Sequence, residues 1–97
     1  MQQSQNSLTW SLFVQGKVQN VGYRRFVQRA ALMWKLTGWT RNRQDGQVEV
    51  RVTGDQQTLE LFLADLRRGP PGSLVRSLSY EATPYERSSD FLILPDL

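Results

Sequence analysis

The chain has 97 residues, with 12 Lys and Arg, 9 Asp and Glu, and neither cysteine nor histidine. This length suits one small domain with a single core. The missing residue types exclude a disulfide framework, a cysteine nucleophile, a histidine base and the usual ligands of zinc or haem. No apolar stretch reaches the roughly 20 residues of a membrane span, and the first residues lack a signal-peptide pattern, so we expect a cytoplasmic protein.

The net charge of +3 is unevenly distributed along the chain. Residues 1–44 contain seven Lys and Arg and no acid, which gives +7, whereas residues 45–97 contain nine acids and five arginines, which gives −4. A basic segment favours an anionic ligand, either a small phosphate compound or a nucleic acid. The alternative is that the two parts of the chain simply face each other in the fold.

Hydrophobic patterning predicts seven elements in the order β-α-β-β-α-β-β. Residues 8–15 predict a strand, because β-branched, aromatic and aliphatic side chains precede a turn at Gly16. A helix then begins near Tyr23, where apolar side chains recur at the spacing of one helical face. The residues of this face are Tyr23, Phe26, Val27, Ala30, Ala31 and Trp34.

The second half of the chain predicts a hairpin, a second helix and two more strands. Apolar residues alternate on both sides of Asp45-Gly46, which is typical of a β-hairpin. Residues 55–68 repeat apolar side chains at helical spacing until glycine and proline end the pattern. Residues 74–83 and 90–94 predict short strands. One face of the hairpin and the apolar face of the second helix are assigned to Val48, Val50, Val52, Leu59, Phe62, Leu63 and Leu66.

Short, half-polar strands alternating with two helices favour an α+β fold. We predict a ferredoxin-like two-layer sandwich, in which an antiparallel sheet carries both helices on one face. A βαββαβ core is extended by one extra strand. Residues 1–7 are expected to be a flexible N-terminal segment that precedes a single domain over residues 8–97.

Residues 16–24, with the sequence GKVQNVGYR, connect the first strand to the first helix. Gly16, Asn20 and Gly22 are residue types that accept a positive φ or let the backbone approach a ligand closely. The helix start adds unpaired N–H groups and the positive end of the helix dipole. Arginine is unfavourable there by roughly 0.3–1 kcal/mol unless an anion binds. The segment therefore predicts a phosphate or carboxylate site, with an ordinary β-to-α turn followed by solvated arginines as the alternative.

The two arginines at this helix start occupy different positions around the helix. Arg24 lies on the flank of the apolar face and can fold back towards the loop, whereas Arg25 lies nearly opposite. A guanidinium offers a forked, permanently charged pair of donors to a phosphate. We therefore assign the anion to Arg24 and expect Arg25 to be a dispensable charge that faces solvent.

Two separated motifs resemble those of the acylphosphatase family. GKVQNVGYR resembles a glycine-x-Val-Gln-Gly-Val-x-Phe-Arg loop, and GWTRN at residues 38–42 resembles a Gly-Trp-Val-x-Asn hairpin. The second helix, RRGPPG and a final Phe-x-Ile strand follow in the family order. The resemblance implies a ferredoxin-like hydrolase that cleaves the carboxyl-phosphate bond of acyl phosphates without a cofactor or a metal.

The resemblance also implies roles for particular residues. Arg24 and Asn42 would be catalytic, because the matching arginine holds the phosphate and the matching asparagine orients the attacking water. Taken alone, an asparagine before a turn is most often turn chemistry. An acyl phosphate has a good leaving group and its phosphate can take the proton of water, so positioning and charge stabilisation suffice. The backbone groups implied in phosphate binding are those of Gln19, Asn20, Val21, Gly22 and Tyr23.

Three positions depart from the family pattern. Asn20 and Lys35 replace glycines, and Tyr23 replaces phenylalanine. Asn20 is expected to adopt a positive φ, which asparagine tolerates better than any residue except glycine. A left-handed Lys35 would cost on the order of 1 kcal/mol.

The implied partners are a small acyl phosphate and inorganic phosphate, and we expect a monomer that binds neither a membrane nor a nucleic acid. The alternative is a non-catalytic ferredoxin-like module that binds phosphate or nucleic acid. RNA-binding modules of this fold stack bases on exposed aromatic side chains of the central strands. The segment GQVEVRVTG has no aromatic residue, although Phe13 could project from the first strand.

Overall fold

The structure is a computed structural model that describes residues 7–97. In chain order, its elements are strand β1 (Ser7–Lys17), helix α1 (Tyr23–Met33), strands β2 (Thr37–Asn42) and β3 (Val48–Asp55), helix α2 (Gln56–Arg68), and strands β4 (Leu74–Thr83) and β5 (Phe91–Ile93). The predicted order of elements is confirmed. The expected flexible segment lies outside the described residues, except for Ser7, which already belongs to β1.

The five strands form one sheet in the order β4-β1-β3-β2-β5. This is the predicted ferredoxin-like arrangement, but the sheet is mixed rather than wholly antiparallel, because β5 runs parallel to β2. The reason is the connection over residues 84–90, which crosses from the β4 edge to the opposite edge. Midway across, the backbone of Glu86 bonds to the side chains of Thr9 and Thr53.

The core lies between the sheet and the two helices. The residues predicted for one face of the hairpin, Val48, Val50 and Val52, are fully buried. Phe26 and Trp34 lie at the edge of the core and are partly buried. Within residues 7–97, neither helix has the length and the apolar character needed to cross a bilayer. The helical residues in the core are Tyr23, Val27, Ala30, Ala31, Leu59, Phe62, Leu63 and Leu66.

Tyr23, the first residue of α1, is fixed by a bond to the end of α2. Its buried hydroxyl donates to the carbonyl of Leu66 at 2.7 Å. That carbonyl would ordinarily accept from the N–H of residue 70, but residue 70 is a proline and has none. The tyrosine therefore supplies the missing hydrogen bond, and burial raises its pKa. The start of α1 is consequently anchored to the core.

Asn20 and Lys35 both have a positive φ, which was predicted for Asn20 and left open for Lys35. Asn20 has φ 61° and Lys35 has φ 59°. Lys35 ends α1 in a Schellman motif, since its N–H bonds to the carbonyl of Leu32 and the N–H of Leu36 bonds to that of Ala31. The glycine-type conformation is thus retained although a side chain is present.

Candidate active site

A pocket of about 340 Å³ lies where the loop before α1 faces the end of β2. Arg24 comes from the first turn of α1 and Asn42 is the last residue of β2. The structure therefore brings the two predicted catalytic residues to one pocket. The complete lining is Val18, Asn20, Gly22, Tyr23, Arg24, Arg25, Asn42 and Ile93.

The start of α1, which faces the pocket, has no side-chain cap. Its N-cap is Gly22, which is left-handed (φ 77°, ψ 18°) and makes no side-chain cap, and the first turn contains no acid. The backbone N–H groups of residues 19–25 donate to no carbonyl within residues 7–97. Unpaired N–H groups at the positive end of a helix dipole form a site for an anion.

The loop takes its shape from two left-handed residues. An added Cβ at Gly22 would meet no atom within 4 Å, so glycine is needed there for its φ and not for space. Asn20, two residues earlier, also has a positive φ. Left-handed residues in such a turn bend the chain so that successive N–H groups form a concave anion site.

The loop is shorter than the sequence predicted. Gly16 and Lys17 belong to β1, and Gly16 lies at a shift in the register between β1 and β4. An added Cβ there would collide with the carbonyl oxygen of Leu74. Gly16 is therefore required by strand pairing and does not line the pocket. The segment that faces the pocket begins at Val18.

Gln19 and Val21, both predicted to bind phosphate through their backbone, are absent from the pocket lining. The side chain of Gln19 instead donates to the carbonyls of Arg43 and Gln47, at 2.9 and 3.0 Å. It thereby ties the loop to the β2–β3 turn. Val21 is partly buried against the core. The sequence gives no signal for this tie, because its two ends lie 24 positions apart along the chain.

The β2–β3 turn is braced by charge pairs beside Asn42. Arg43 contacts Glu49 at 3.2 Å and Asp45 at 3.3 Å, and Glu49 is buried. The N–H of Gln47 and the Arg43 guanidinium hold the pKa of Asp45 below its usual value. The brace and the Gln19 tie keep the end of β2 in a fixed place relative to the loop.

Asn42 lines the pocket, and its side chain carries an unpaired acceptor. The residue is 5% exposed, and its Oδ1 is buried with no hydrogen-bond partner among residues 7–97. A buried amide oxygen without a partner costs about 1–3 kcal/mol. Because Asn42 lines the pocket, this acceptor is a candidate partner for a ligand or a water molecule.

The two arginines of the first turn differ in their partners. The Nη1 of Arg24 lies 3.0 Å from the Oδ1 of Asp96, a residue that sequence reasoning did not identify. Arg25 is exposed, as expected, but it also lines the pocket, which was not predicted. None of the ion pairs within residues 7–97 involves Arg25.

Comparison with known proteins decides the family. The model of the acylphosphatase family matches residues 10–93. The chain belongs to the acylphosphatase family. It is 46% identical to an acylphosphatase of Bacillus licheniformis over 76 residues, which are 78% of this chain and 84% of that protein.

Two solved structures are similar to this acylphosphatase-family chain over nearly their whole length. An acylphosphatase from Coxiella burnetii has a TM-score of 0.92 and 32% identity, and the match covers 97% of this chain and 99% of that one. An acylphosphatase from Bacillus subtilis has a TM-score of 0.86 and 36% identity, with coverage of 90% and 98%. The predicted family and fold are therefore confirmed.

In this acylphosphatase fold, the sheet face away from the helices bears on the nucleic-acid alternative. Trp39 lies there between Arg41 and Arg51, whose guanidinium carbons are 4.9 and 5.4 Å from its ring. Both arginines are also paired with acids, Glu49 and Glu86. Cations that are already neutralised and stacked on the aromatic ring offer little to a phosphate backbone or a base, so the alternative is not favoured.

Proposed function

We propose that the protein hydrolyses acyl phosphates to a carboxylate and inorganic phosphate in the pocket between α1 and β2. The observation that carries this proposal is the buried, unpartnered Oδ1 of Asn42 beside Arg24 and the open helix start. The reaction requires a cradle for the phosphoryl group and an acceptor that orients water. Membership of the acylphosphatase family supports the same activity.

The phosphoryl group would bind at the open helix start. Its oxygens accept from the guanidinium of Arg24 and from backbone N–H groups of the loop before α1, of which Asn20, Gly22 and Tyr23 line the pocket. Charge-assisted bonds of this kind are roughly twice as strong as neutral ones. Donors fixed in advance also stabilise the charge that the transferring phosphoryl group spreads over its oxygens.

The nucleophile would be a water molecule held by Asn42. Its Oδ1 accepts one hydrogen bond and thereby aims a lone pair of the water at phosphorus, in line with the leaving carboxylate. As the new P–O bond forms, the bond to the acyl oxygen breaks and the carboxylate leaves with that electron pair. A phosphoryl oxygen takes the proton of the water. An acyl phosphate dianion and water thus give a carboxylate and dihydrogen phosphate.

The role of Asn42 is tested in an assay of benzoyl phosphate hydrolysis with inorganic phosphate as competitor. Asn42→Ala should lower kcat roughly 10²-fold or more, because the water loses its orientation. It should leave the inhibition constant of phosphate within about twofold, since the cradle is intact. Unchanged kcat in this variant would contradict the role of Asn42, and a wild-type protein without turnover would contradict the activity itself.

We propose that the active form is a monomer, because one chain supplies the loop, Arg24 and Asn42 that the proposed reaction uses. Light scattering at assay concentration checks this. We also propose a cytoplasmic location, which is the one expected from the sequence. Cell fractionation with an antibody against the protein checks the location.

A further inference from the structure

The segment after β5 runs along β2 towards the pocket. The N–H of Leu94 donates to the carbonyl of Thr40, and the N–H of Leu97 donates to the carbonyl of Asn42, both at 2.9 Å. The backbone is therefore fixed on both sides of Asp96. Its position beside the end of β2 brings the carboxylate of Asp96 to the mouth of the pocket.

The carboxylate of Asp96 contacts the guanidinium that the proposed function assigns to phosphate. Its Oδ1 lies 3.0 Å from the Nη1 of Arg24, and among residues 7–97 no other acid is paired with this arginine. The side chain of Asp96 is 63% exposed and that of Arg24 is 32% exposed. Ion pairs with this much solvent contact contribute little, so a dianion with several donors can displace the carboxylate.

We propose that Asp96 is a positioning residue that sets the phosphate affinity of the site. Its carboxylate holds Arg24 over the pocket when the site is empty, and it competes with the phosphoryl group for the same guanidinium. The proposal rests on the phosphate site of the proposed function. It adds an internal competitor whose contribution can be measured separately.

The direction of the effect follows from charge. A bound phosphoryl group places its negatively charged oxygens beside Arg24 and therefore near the carboxylate of Asp96. Negative charges this close to each other repel even in water. Asp96 therefore weakens the binding of substrate and of product phosphate alike. A residue that acts equally on the bound ground state and the transition state changes KM and leaves kcat unaltered.

The test is the isosteric variant Asp96→Asn, which removes the charge and retains an oxygen that accepts from Arg24. The dissociation constant of inorganic phosphate, measured by calorimetry, should fall roughly three- to tenfold. The KM for benzoyl phosphate should fall in parallel, with kcat within about twofold of wild type. Asp96→Ala should give the same direction for both constants.

The matched control is Asp90→Asn, which removes the same charge just before β5, at the opposite end of that strand from Leu94. It should leave phosphate binding unchanged. An unchanged dissociation constant in Asp96→Asn would overturn the proposal, and so would a weaker binding of phosphate together with a lower kcat. Calorimetry needs no turnover, so a wild-type protein that binds phosphate without hydrolysing acyl phosphates would contradict the proposed activity but not the competition.

Discussion

The two helices of this protein begin in opposite ways. At the start of α2, Asp55 has an extended backbone and its carboxylate accepts from the N–H of Thr58 at 2.9 Å. At the start of α1, Gly22 offers no side chain, and the cations Arg24 and Arg25 occupy the turn where acids are favoured. The protein itself caps the start of α2, whereas the N–H groups at the start of α1 have no cap and can bind an anion.

The comparison distinguishes a structural helix start from a binding site. Leaving the first N–H groups unpaired and adding cations both lower the stability of a helix. Other contacts of α1 offset this loss, such as the bond from Tyr23 to Leu66 and that from Gln28 to the carbonyl of Phe91 at 3.0 Å. An uncapped helix start is thus informative when the rest of the helix is well anchored.

The largest expected effect is that of Arg24→Ala on activity. We expect kcat/KM for benzoyl phosphate to fall roughly 10³-fold or more, since an arginine that stabilises a transferring phosphoryl group contributes on this scale. The free energy of unfolding should change by less than about 1 kcal/mol, because the lost pair with Asp96 is exposed. Arg29→Ala, on the same helix, is the control and should retain full activity. Loss of activity accompanied by unfolding would refute a role in binding.

A smaller effect is expected for the anchor of α1. Tyr23→Phe removes the hydroxyl that satisfies the carbonyl of Leu66 and should lower the free energy of unfolding by about 1–2 kcal/mol. The measurement is urea denaturation monitored by circular dichroism. Tyr85→Phe changes an exposed tyrosine and should have no effect. Equal stability of the two variants would mean that the anchor contributes nothing.

At the start of α2, Asp55→Ala should lower Tm by roughly 4–8 °C and leave activity intact. The N–H of Thr58 holds the pKa of Asp55 below its ordinary value of 3.8. A carboxyl group with a lowered pKa stabilises the fold above its unfolded pKa, and this stability is lost as the pH falls through the folded value. The gap in Tm between the wild type and Asp55→Ala should therefore narrow below about pH 4. A difference in Tm that widens as the pH falls would contradict this role of Asp55.

The smallest effect concerns the end of α1. Lys35→Gly should raise the free energy of unfolding by about 0.5–1 kcal/mol, because a glycine adopts φ 59° without the strain of a side chain. Lys35→Ala keeps the Cβ and should give no such gain. Denaturant titration measures the free energy of unfolding of both variants. Equal increases in the two would indicate that the charge of Lys35, and not its backbone conformation, lowers the stability.

The sequence predicted the helices and the buried faces of the strands better than it predicted strand direction. Leu59, Phe62 and Leu66 are buried as their helical spacing indicated. Alternation along a strand reports which face is buried, but it does not report the direction of the neighbouring strand. The parallel pairing of β5 with β2 depends on the path of residues 84–90, and no local pattern records that path.

For the site, the sequence predicted the two main residues but not the contacts that hold them. Arg24 and Asn42 were found through their motifs, and the structure places both in one pocket. The contact between Arg24 and Asp96 joins residues 72 positions apart, and the tie from Gln19 to Arg43 spans 24 positions. Contacts of this kind depend on the folded arrangement, so a linear pattern cannot indicate them.

The most direct test is a titration of ¹⁵N-labelled protein with inorganic phosphate, followed through its backbone amide resonances. We predict saturable shifts that are largest for residues 19–25, where the N–H groups have no carbonyl partner, and small for Gln56, Gln57 and Thr58 at the capped start of α2. Shifts of equal size at both helix starts, or none in residues 19–25, would contradict an anion site at the start of α1.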